Sequence, residues 1–394
     1  MIIIKNTAIF IHLFFIMFFV ACVTPPIQKA KPLEPLSVKD ANKLFDEGVR
    51  FNREKKYIQA INSFSEAIKI DSSFQRAYTI RGAVYYVLER YSEAIQDFDH
   101  AISLGHQDIS HYVLAYVMRG EAYSELKEYE KAKNDFTRAL EINPRDSRAY
   151  NGRSIAYYHL GKLTEAIIDV TSAINLNSTK YQYLDNRGMI YYELKDYPKA
   201  LDDLKISLRL NPNNALAYST CGTLSRYLGE YEDSLYYYNQ AILLDPNSFD
   251  AYYGRALIYD YQGKRLEAFK DLNRAIQINP SHPDVYIGRG YINYQLEKYD
   301  EAMKDFNKAV ALDPYLSVPY LGRGYVYFML GKYSEAFRDL NKSIELDPNN
   351  KDAYETRGNL FTKLAELSVD TKEKDEYSAK AKYDFEQSKL LTKP

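Results

Sequence analysis

A pattern of 34 residues, clearest at residues 283–316, recurs on both sides of that stretch and limits the possible folds. Within it, the small residues Gly290 and Ala302 and the large Phe306 lie at helical spacing with other apolar side chains, which predicts two short amphipathic helices. Small residues let two helix backbones approach closely, and the phenylalanine fills the space beside them. Pro314 ends the second helix because proline cannot continue it. One such hairpin buries too little apolar surface to be stable alone, so we expect neighbouring units to stack.

This repetition determines the expected domain organisation. On length alone, a chain of 394 residues could hold roughly two or three ordinary domains, but self-similarity at a fixed period overrides that expectation. The eighth residue of every unit is glycine, alanine or serine. The ten expected units lie near residues 41–74, 75–112, 113–146, 147–180, 181–214, 215–248, 249–282, 283–316, 317–350 and 351–394.

The pattern resembles the tetratricopeptide repeat, and the resemblance covers most of the chain. It implies an all-α fold, a right-handed α-solenoid (superhelix) of antiparallel helix pairs. The first helix of each unit, called helix A below, would line a concave groove, and the second, helix B, would pack behind it. Grooves of this kind commonly bind a peptide or an extended segment of a partner protein. The resemblance implies no particular partner, because function depends on the groove and not on the scaffold.

The N-terminal residues are typical of a targeting segment. Residues 1–21 contain one early positive charge, Lys5, and then a long apolar run, as in a secretory signal peptide. The stretch at residues 19–22 resembles a bacterial lipobox, which makes Cys22 the expected site of lipidation. Residues 22–37 are proline-rich and are expected to form an extended tether ahead of a solenoid at residues 38–394. An uncleaved membrane anchor and ordinary secretion without an anchor are the alternatives.

Lipidation would place the protein in the bacterial cell envelope, with the repeats in the periplasm or at the cell surface. By analogy with lipoproteins of enteric bacteria, Val23 after the cysteine favours the outer membrane over the inner one. Palmitate would be among the acyl chains of such an anchor, and several acyl chains together give durable attachment.

Two irregularities interrupt the period. Extra residues at 105–111 predict a loop between units two and three. About eleven residues are added in unit ten between Phe361 and Ala381, so both of its helices should be longer, with the last at residues 376–391.

Charged residues occupy two repeat positions that are usually apolar or aromatic in this family. An arginine precedes the small residue of helix A and an aspartate precedes the large residue of helix B in eight units, and the same two units lack both. Because the two gaps coincide, we predict that each arginine pairs with the aspartate of its own unit. A basic ladder that recognises carboxylates is the alternative. The predicted pairs are Arg81 with Asp97, Arg119 with Asp135, Arg153 with Asp169, Arg187 with Asp203, Arg255 with Asp271, Arg289 with Asp305, Arg323 with Asp339, and Arg357 with Asp384.

Tyrosines are frequent at the positions of helix A that the resemblance places in the groove. The chain has 39 tyrosines and no tryptophan. Aromatic side chains dominate binding hot spots, so units six to nine are the expected contact surface. Alternatively, these rings pack between adjacent A helices. The candidate partner-binding residues are Tyr227, Tyr253, Asp260, Tyr261, Tyr291, Tyr294, Gln295, Tyr325 and Phe328.

Nothing in the sequence indicates catalysis. Nucleophile-elbow, phosphate-loop and metalloprotease motifs are missing, so we expect no catalytic residues, no metal, no cofactor and no small-molecule substrate. The balance of 51 Lys and Arg against 53 Asp and Glu gives no basic footprint for nucleic acid. The sequence therefore predicts a non-enzymatic protein–protein interaction scaffold that is attached to a membrane through a lipid anchor. It could assist assembly of a pilus, secretion or cell-wall complex. The alternative is a polysaccharide-binding accessory of glycan synthesis or export, since tyrosines also stack on sugar rings.

Overall fold

A computed structural model describes residues 37–105 and 107–391, and within them the chain is all-helical. Twenty helices follow one another as hairpins, and each odd-numbered helix is a helix A. In chain order they are α1 (Val38–Arg53), α2 (Tyr57–Ile70), α3 (Gln75–Val87), α4 (Tyr91–Ser103), α5 (Ile109–Glu125), α6 (Tyr129–Ile142), α7 (Ser147–His159), α8 (Leu163–Leu176), α9 (Tyr181–Glu193), α10 (Tyr197–Leu210), α11 (Ala215–Tyr227), α12 (Tyr231–Leu244), α13 (Phe249–Tyr261), α14 (Arg265–Ile278), α15 (Pro283–Gln295), α16 (Tyr299–Leu312), α17 (Ser317–Met329), α18 (Tyr333–Leu346), α19 (Lys351–Leu367) and α20 (Thr371–Leu390).

The helices stack as an α-solenoid, as the repeat predicts. Every helix packs on the next one in the chain, and most A helices, from α3 to α9 and from α11 to α19, also contact the helix A of the following unit. Contacts therefore run from unit to unit along the chain, without a single central core.

Alternating small and large residues hold neighbouring units together. Phe306 on α16 is fully buried and lies between Gly290 of its own unit and Gly322 of the next. A Cβ atom at Gly290 would lie 2.8 Å from the Phe306 ring, and one at Gly322 would lie 2.4 Å from it. Both distances are too short for a real side chain, so the glycines are required where the phenylalanine ring fills the space between two A helices.

Two helix boundaries differ from the sequence prediction. The expected loop between units two and three is present but ends earlier than residue 111, because α5 already begins at Ile109. The Asp108 carboxylate accepts hydrogen bonds from the backbone N–H groups of Ser110 and His111, which stabilises an additional first turn of α5. In unit ten both helices are longer, as expected, but α20 begins at Thr371 rather than at residue 376, after an N-cap at Asp370.

The predicted targeting segment lies outside the described residues. Residues 1–36, with Cys22 and most of the proline-rich stretch, belong to that part, as do residue 106 and residues 392–394. Among the helices from Val38 to Leu390, none is both long enough and apolar enough to cross a membrane.

Candidate functional site

The eight arginine and aspartate pairs that the sequence suggests are in contact within their own units. In unit eight, Arg289 donates from Nε to Asp305 Oδ2 at 2.9 Å and from Nη2 to Oδ1 at 2.6 Å. The Asp305 side chain is almost completely buried, while that of Arg289 is 23% exposed. A bidentate ion pair of this kind, called a clip below, joins helix A to helix B of the same unit. The other seven pairs have the same geometry: Arg81 with Asp97, Arg119 with Asp135, Arg153 with Asp169, Arg187 with Asp203, Arg255 with Asp271, Arg323 with Asp339, and Arg357 with Asp384.

Each of these arginines also contacts the preceding unit, which the sequence reasoning missed. The third nitrogen of the guanidinium, Nη1, donates to a side chain on helix B of the unit before, which lies 16 residues earlier in seven cases and 20 residues earlier for Arg119. The signal was present, since the residue 16 positions before each of these arginines is always Ser, Thr or Asn. The acceptors are Ser65, Asp99, Thr137, Thr171, Asn239, Asn273, Asn307 and Asn341.

Unit six interrupts this row of polar contacts at all three positions. Cys221 replaces the arginine, Tyr237 replaces the aspartate, and Lys205 on α10 stands where the acceptor of the preceding unit should be. Cys221 is completely buried, and burial raises the pKa of its thiol to about 12. The side chain therefore acts as a small apolar residue there and not as a nucleophile. Units five and six consequently lack the hydrogen bond from an arginine to the preceding helix B that connects all other pairs of neighbouring units.

The same unit carries a cavity on the face formed by the A helices. Its volume is about 410 Å³, and its walls come from α9, α11 and α13. Met189 and Tyr192 form the side contributed by α9, and Tyr253 and Leu257 form the side contributed by α13. Leu216, which is 69% exposed, lies at the start of α11 on the rim.

Small side chains on α11 create this cavity. Ser219 and Thr223 stand at the groove positions where unit eight has Ile287 and Tyr291. The floor is closed by Tyr238 of α12, which is fully buried and whose hydroxyl lies 3.1 Å from Thr223 Oγ1. Ser219 and Thr223 were not among the residues predicted from the sequence, because that prediction was based on large aromatic side chains and not on small side chains between them.

Three charged residues line the cavity. The Asp185 carboxylate is partly buried, and burial raises its pKa, while its two oxygens accept hydrogen bonds from Ser207 Oγ and Asn214 Nδ2. Asp250 lies exposed at the rim. Arg226 lies partly buried with its guanidinium carbon 4.6 Å from the centre of the Tyr227 ring. The site therefore combines apolar walls with one cation and two carboxylates.

Two of the predicted groove residues, Tyr227 and Tyr253, line the cavity. Tyr227 is 48% exposed and stacks on Tyr197 with the ring centres 5.0 Å apart. Tyr253 is more deeply placed, and burial raises its pKa to about 12. Both lie on neighbouring A helices, so a single ligand could contact them together.

The remaining predicted residues lie outside the cavity. Tyr291 contacts Phe306 with ring centres 5.2 Å apart, and Tyr294 contacts Tyr325 at 5.6 Å, so these rings pack between adjacent A helices. Burial raises the pKa of Tyr291, Tyr294 and Tyr325. Phe328 packs beside a tyrosine of α18.

The other predicted polar and exposed positions are at the ends of α13 and α15. Tyr261 is 72% exposed and lies 4.8 Å from the Tyr231 ring. Asp260 is partly buried, which raises its pKa, and the Gln295 side chain accepts a hydrogen bond from Arg265 at 2.7 Å.

Comparison with protein-family models decides the family. Models described as "Tetratricopeptide repeat" match residues 113–146, 186–214, 283–316, 136–168 and 249–282, and a model described as "TPR repeat" matches residues 222–263 and 324–364. Together they cover more than half of the chain. The chain belongs to the tetratricopeptide repeat family. Proteins with these repeats are typically non-catalytic scaffolds that bind protein or peptide partners.

Solved structures of other repeat proteins are similar to this chain. A tetratricopeptide repeat protein from Parabacteroides merdae is 23% identical, with a TM-score of 0.50, and the match covers 62% of this chain and 96% of that one. The pilF protein of Pseudomonas aeruginosa is 19% identical, with coverage of 52% and 94% and a TM-score of 0.48. YrrB, described as a TPR protein with an unusual peptide-binding site, is 23% identical, with coverage of 45% and 92% and a TM-score of 0.40. A search of curated proteins found no match.

Nothing in the described part of the repeat protein resembles a metal centre, since no group of three or more His, Cys, Asp or Glu side chains converges there.

Proposed function

We propose that this tetratricopeptide repeat protein is a non-enzymatic interaction scaffold whose binding site is the cavity between α9, α11 and α13. The observation that carries the proposal is the opening in the row of A helices at unit six, where small side chains leave about 410 Å³ lined largely by apolar atoms. Ligand sites generally have volumes of roughly 300–1,000 Å³, with apolar walls and a few polar groups that fix orientation. The cavity fits side chains of an extended peptide segment better than a folded surface.

Peptide binding is favoured over sugar binding by the environment of the tyrosine rings. A sugar needs a free aromatic face, but the Tyr227 ring already has Tyr197 stacked at 5.0 Å and the Arg226 guanidinium at 4.6 Å. The apolar side chains of Met189, Leu216 and Leu257 complete the lining, and they suit an amino-acid side chain.

Site-specific photo-cross-linking tests this binding site. A photoreactive amino acid placed at Leu216 would face the cavity, whereas one at Leu243 of α12 is similarly exposed, 74% against 69%, but does not line it. In cells, the Leu216 position should give a discrete adduct with a partner protein, and the Leu243 position should not. Equal cross-linking at both positions, or adducts at Leu243 alone, would remove the cavity from the proposal.

The cellular location is a second part of the proposal. The lipobox-like residues 19–22 support attachment through acyl chains on Cys22, with the repeats held in the cell envelope, where they would assist assembly of an envelope complex. Metabolic labelling with a clickable palmitate analogue should label the wild-type chain but not a Cys22→Ser variant. The variant should also leave the membrane fraction. Membrane association of both chains without label would instead indicate an uncleaved anchor.

A further inference from the structure

Arg226 differs from the eight arginines that clip the repeats together. Those eight have an aspartate partner in their own unit, whereas Arg226 forms no ion pair with any residue in the described part of the chain. Its Nε atom is buried and has no hydrogen-bond acceptor. The side chain lines the cavity beside the Tyr227 ring and next to the hydroxyl of the floor residue Tyr238, a neutral hydrogen-bond partner that does not balance the charge of the guanidinium. A partly buried guanidinium without a counter-ion is unfavourable, so the position calls for an acceptor from outside the chain.

The two carboxylates of the cavity do not serve as that acceptor. Asp185 accepts hydrogen bonds from Ser207 and Asn214, and it forms no ion pair with Arg226, whose Nε has no acceptor. Asp250 lies exposed on the rim, on α13, and forms no ion pair with the arginine. The Tyr227 ring also contacts the guanidinium. Its face attracts the cation, but the ring is neutral and cannot form an ion pair with it.

Apolar walls stand next to this cation. Met189 and Leu216 are 51% and 69% exposed although both are large and apolar, and both line the cavity together with Leu257. A ligand that covers these side chains removes apolar surface from water, and a ligand carboxylate at Arg226 adds a charge-assisted hydrogen bond in a partly dry site.

We propose that the cavity recognises a peptide segment carrying a large apolar side chain next to a carboxylate, with the apolar group between Met189, Leu216 and Leu257 and the carboxylate on Arg226. This inference rests on the proposed function, because it names the chemistry of the ligand for the same cavity. The carboxylate can come from an acidic side chain or from the C-terminus of the partner, and both sources present the same group to the arginine.

The test uses defined six-residue peptides and the purified full chain. Fluorescently labelled peptides carry a central phenylalanine followed by glutamate, the same peptide with glutamine in its place, and a third in which phenylalanine is the last residue with a free terminal carboxylate. Amidated termini are used elsewhere, so that each peptide has at most one carboxylate. Affinities come from fluorescence anisotropy titrations.

The glutamate peptide should bind the wild-type chain roughly 10- to 100-fold more tightly than the glutamine peptide, as expected for one charge-assisted hydrogen bond. The advantage should vanish in Arg226→Gln and be partly restored in Arg226→Lys. It should persist in Arg209→Gln, a control of equal charge change at an exposed position of α10 outside the cavity. Preference for the third peptide over the second would assign the terminal carboxylate as a ligand too.

Equal affinity for the glutamate and glutamine peptides, or a preference that survives in Arg226→Gln, would overturn the carboxylate assignment while leaving the cavity as a peptide site. Failure of every peptide to bind the wild-type chain also overturns it. The proposed function then depends on the cross-linking at Leu216, so the two failures are distinguishable. Thermal unfolding of each variant checks that lost binding does not come from lost folding.

Discussion

The ion pair between Arg289 and Asp305 should be strongly coupled in a double-mutant cycle. Arg289→Met leaves the nearly buried Asp305 carboxylate without its cation, and breaking a buried pair typically costs about 3–5 kcal/mol. Asp305 keeps one donor, Asn293 Nδ2 at 3.0 Å, so we expect about 3 kcal/mol, the lower end of that range. Asp305→Ala leaves Arg289 its contact with Asn273 and partial exposure to solvent, so its loss should be smaller, about 2 kcal/mol.

The double variant should then lose clearly less than the sum of the two single losses, with a coupling free energy of about 1.5–3 kcal/mol. Hydrogen exchange measured by mass spectrometry on α15 and α16 gives the local opening free energy, which is preferable to a global midpoint because long repeat arrays do not unfold in one step. The matched control is Arg138 with Glu141, an exposed pair whose side chains are 52% and 54% exposed. Its coupling should stay below about 0.5 kcal/mol. Additive losses at Arg289 and Asp305 would refute the clip as a stabilising contact.

Three further outcomes follow from unit six and from the rings of unit eight. Cys221→Arg should destabilise the protein when introduced alone, because the new cation faces Lys205 and lacks an aspartate, whereas adding Tyr237→Asp and Lys205→Asn should recover most of the loss in the same exchange measurement. The thiol of Cys221 should resist alkylation in the folded chain at neutral pH, because burial raises its pKa to about 12 from 9.0. For the same reason, the contribution of the neutral thiol to the free energy of unfolding is complete below pH 9 and is lost as the pH rises towards 12. Tyr291→Ala should lower stability by about 2–4 kcal/mol by removing a packed ring, yet leave partner cross-linking unchanged, and loss of cross-linking at full stability would contradict that assignment.

The fold and its internal clips were predictable because they depend on repetition. A residue type that recurs at the same position in most of the ten units would rarely do so by chance. The glycines of helix A, the prolines after helix B and the Arg and Asp positions are therefore recognisable from the sequence. The contact to the preceding unit was also visible, at a spacing of 16 residues for seven of the eight arginines, but it joins different units and was not sought.

The cavity was harder to predict because it depends on a departure from the repeat. It arises where Ser219 and Thr223 are smaller than their counterparts, and a missing side chain gives no positive signal in a sequence. Aromatic content pointed to units six to nine, but Tyr291 and Tyr325 are used in packing between helices, which a sequence cannot distinguish from exposure in a groove. The start of α5 was missed because the cap at Asp108 was read as part of a loop.

The affinity of the cross-linked partner for cavity variants tests the central claim most directly. Isothermal titration calorimetry would compare the wild-type chain with Leu216→Arg in the cavity and with Leu243→Arg on α12, two exposed leucines that differ in location. Leu216→Arg should weaken binding by about tenfold or more, because the apolar contact is lost and a second cation is placed near Arg226. Leu243→Arg should leave the affinity unchanged. Equal affinities for the wild-type chain and Leu216→Arg would contradict the assignment of the cavity between α9, α11 and α13 as the binding site.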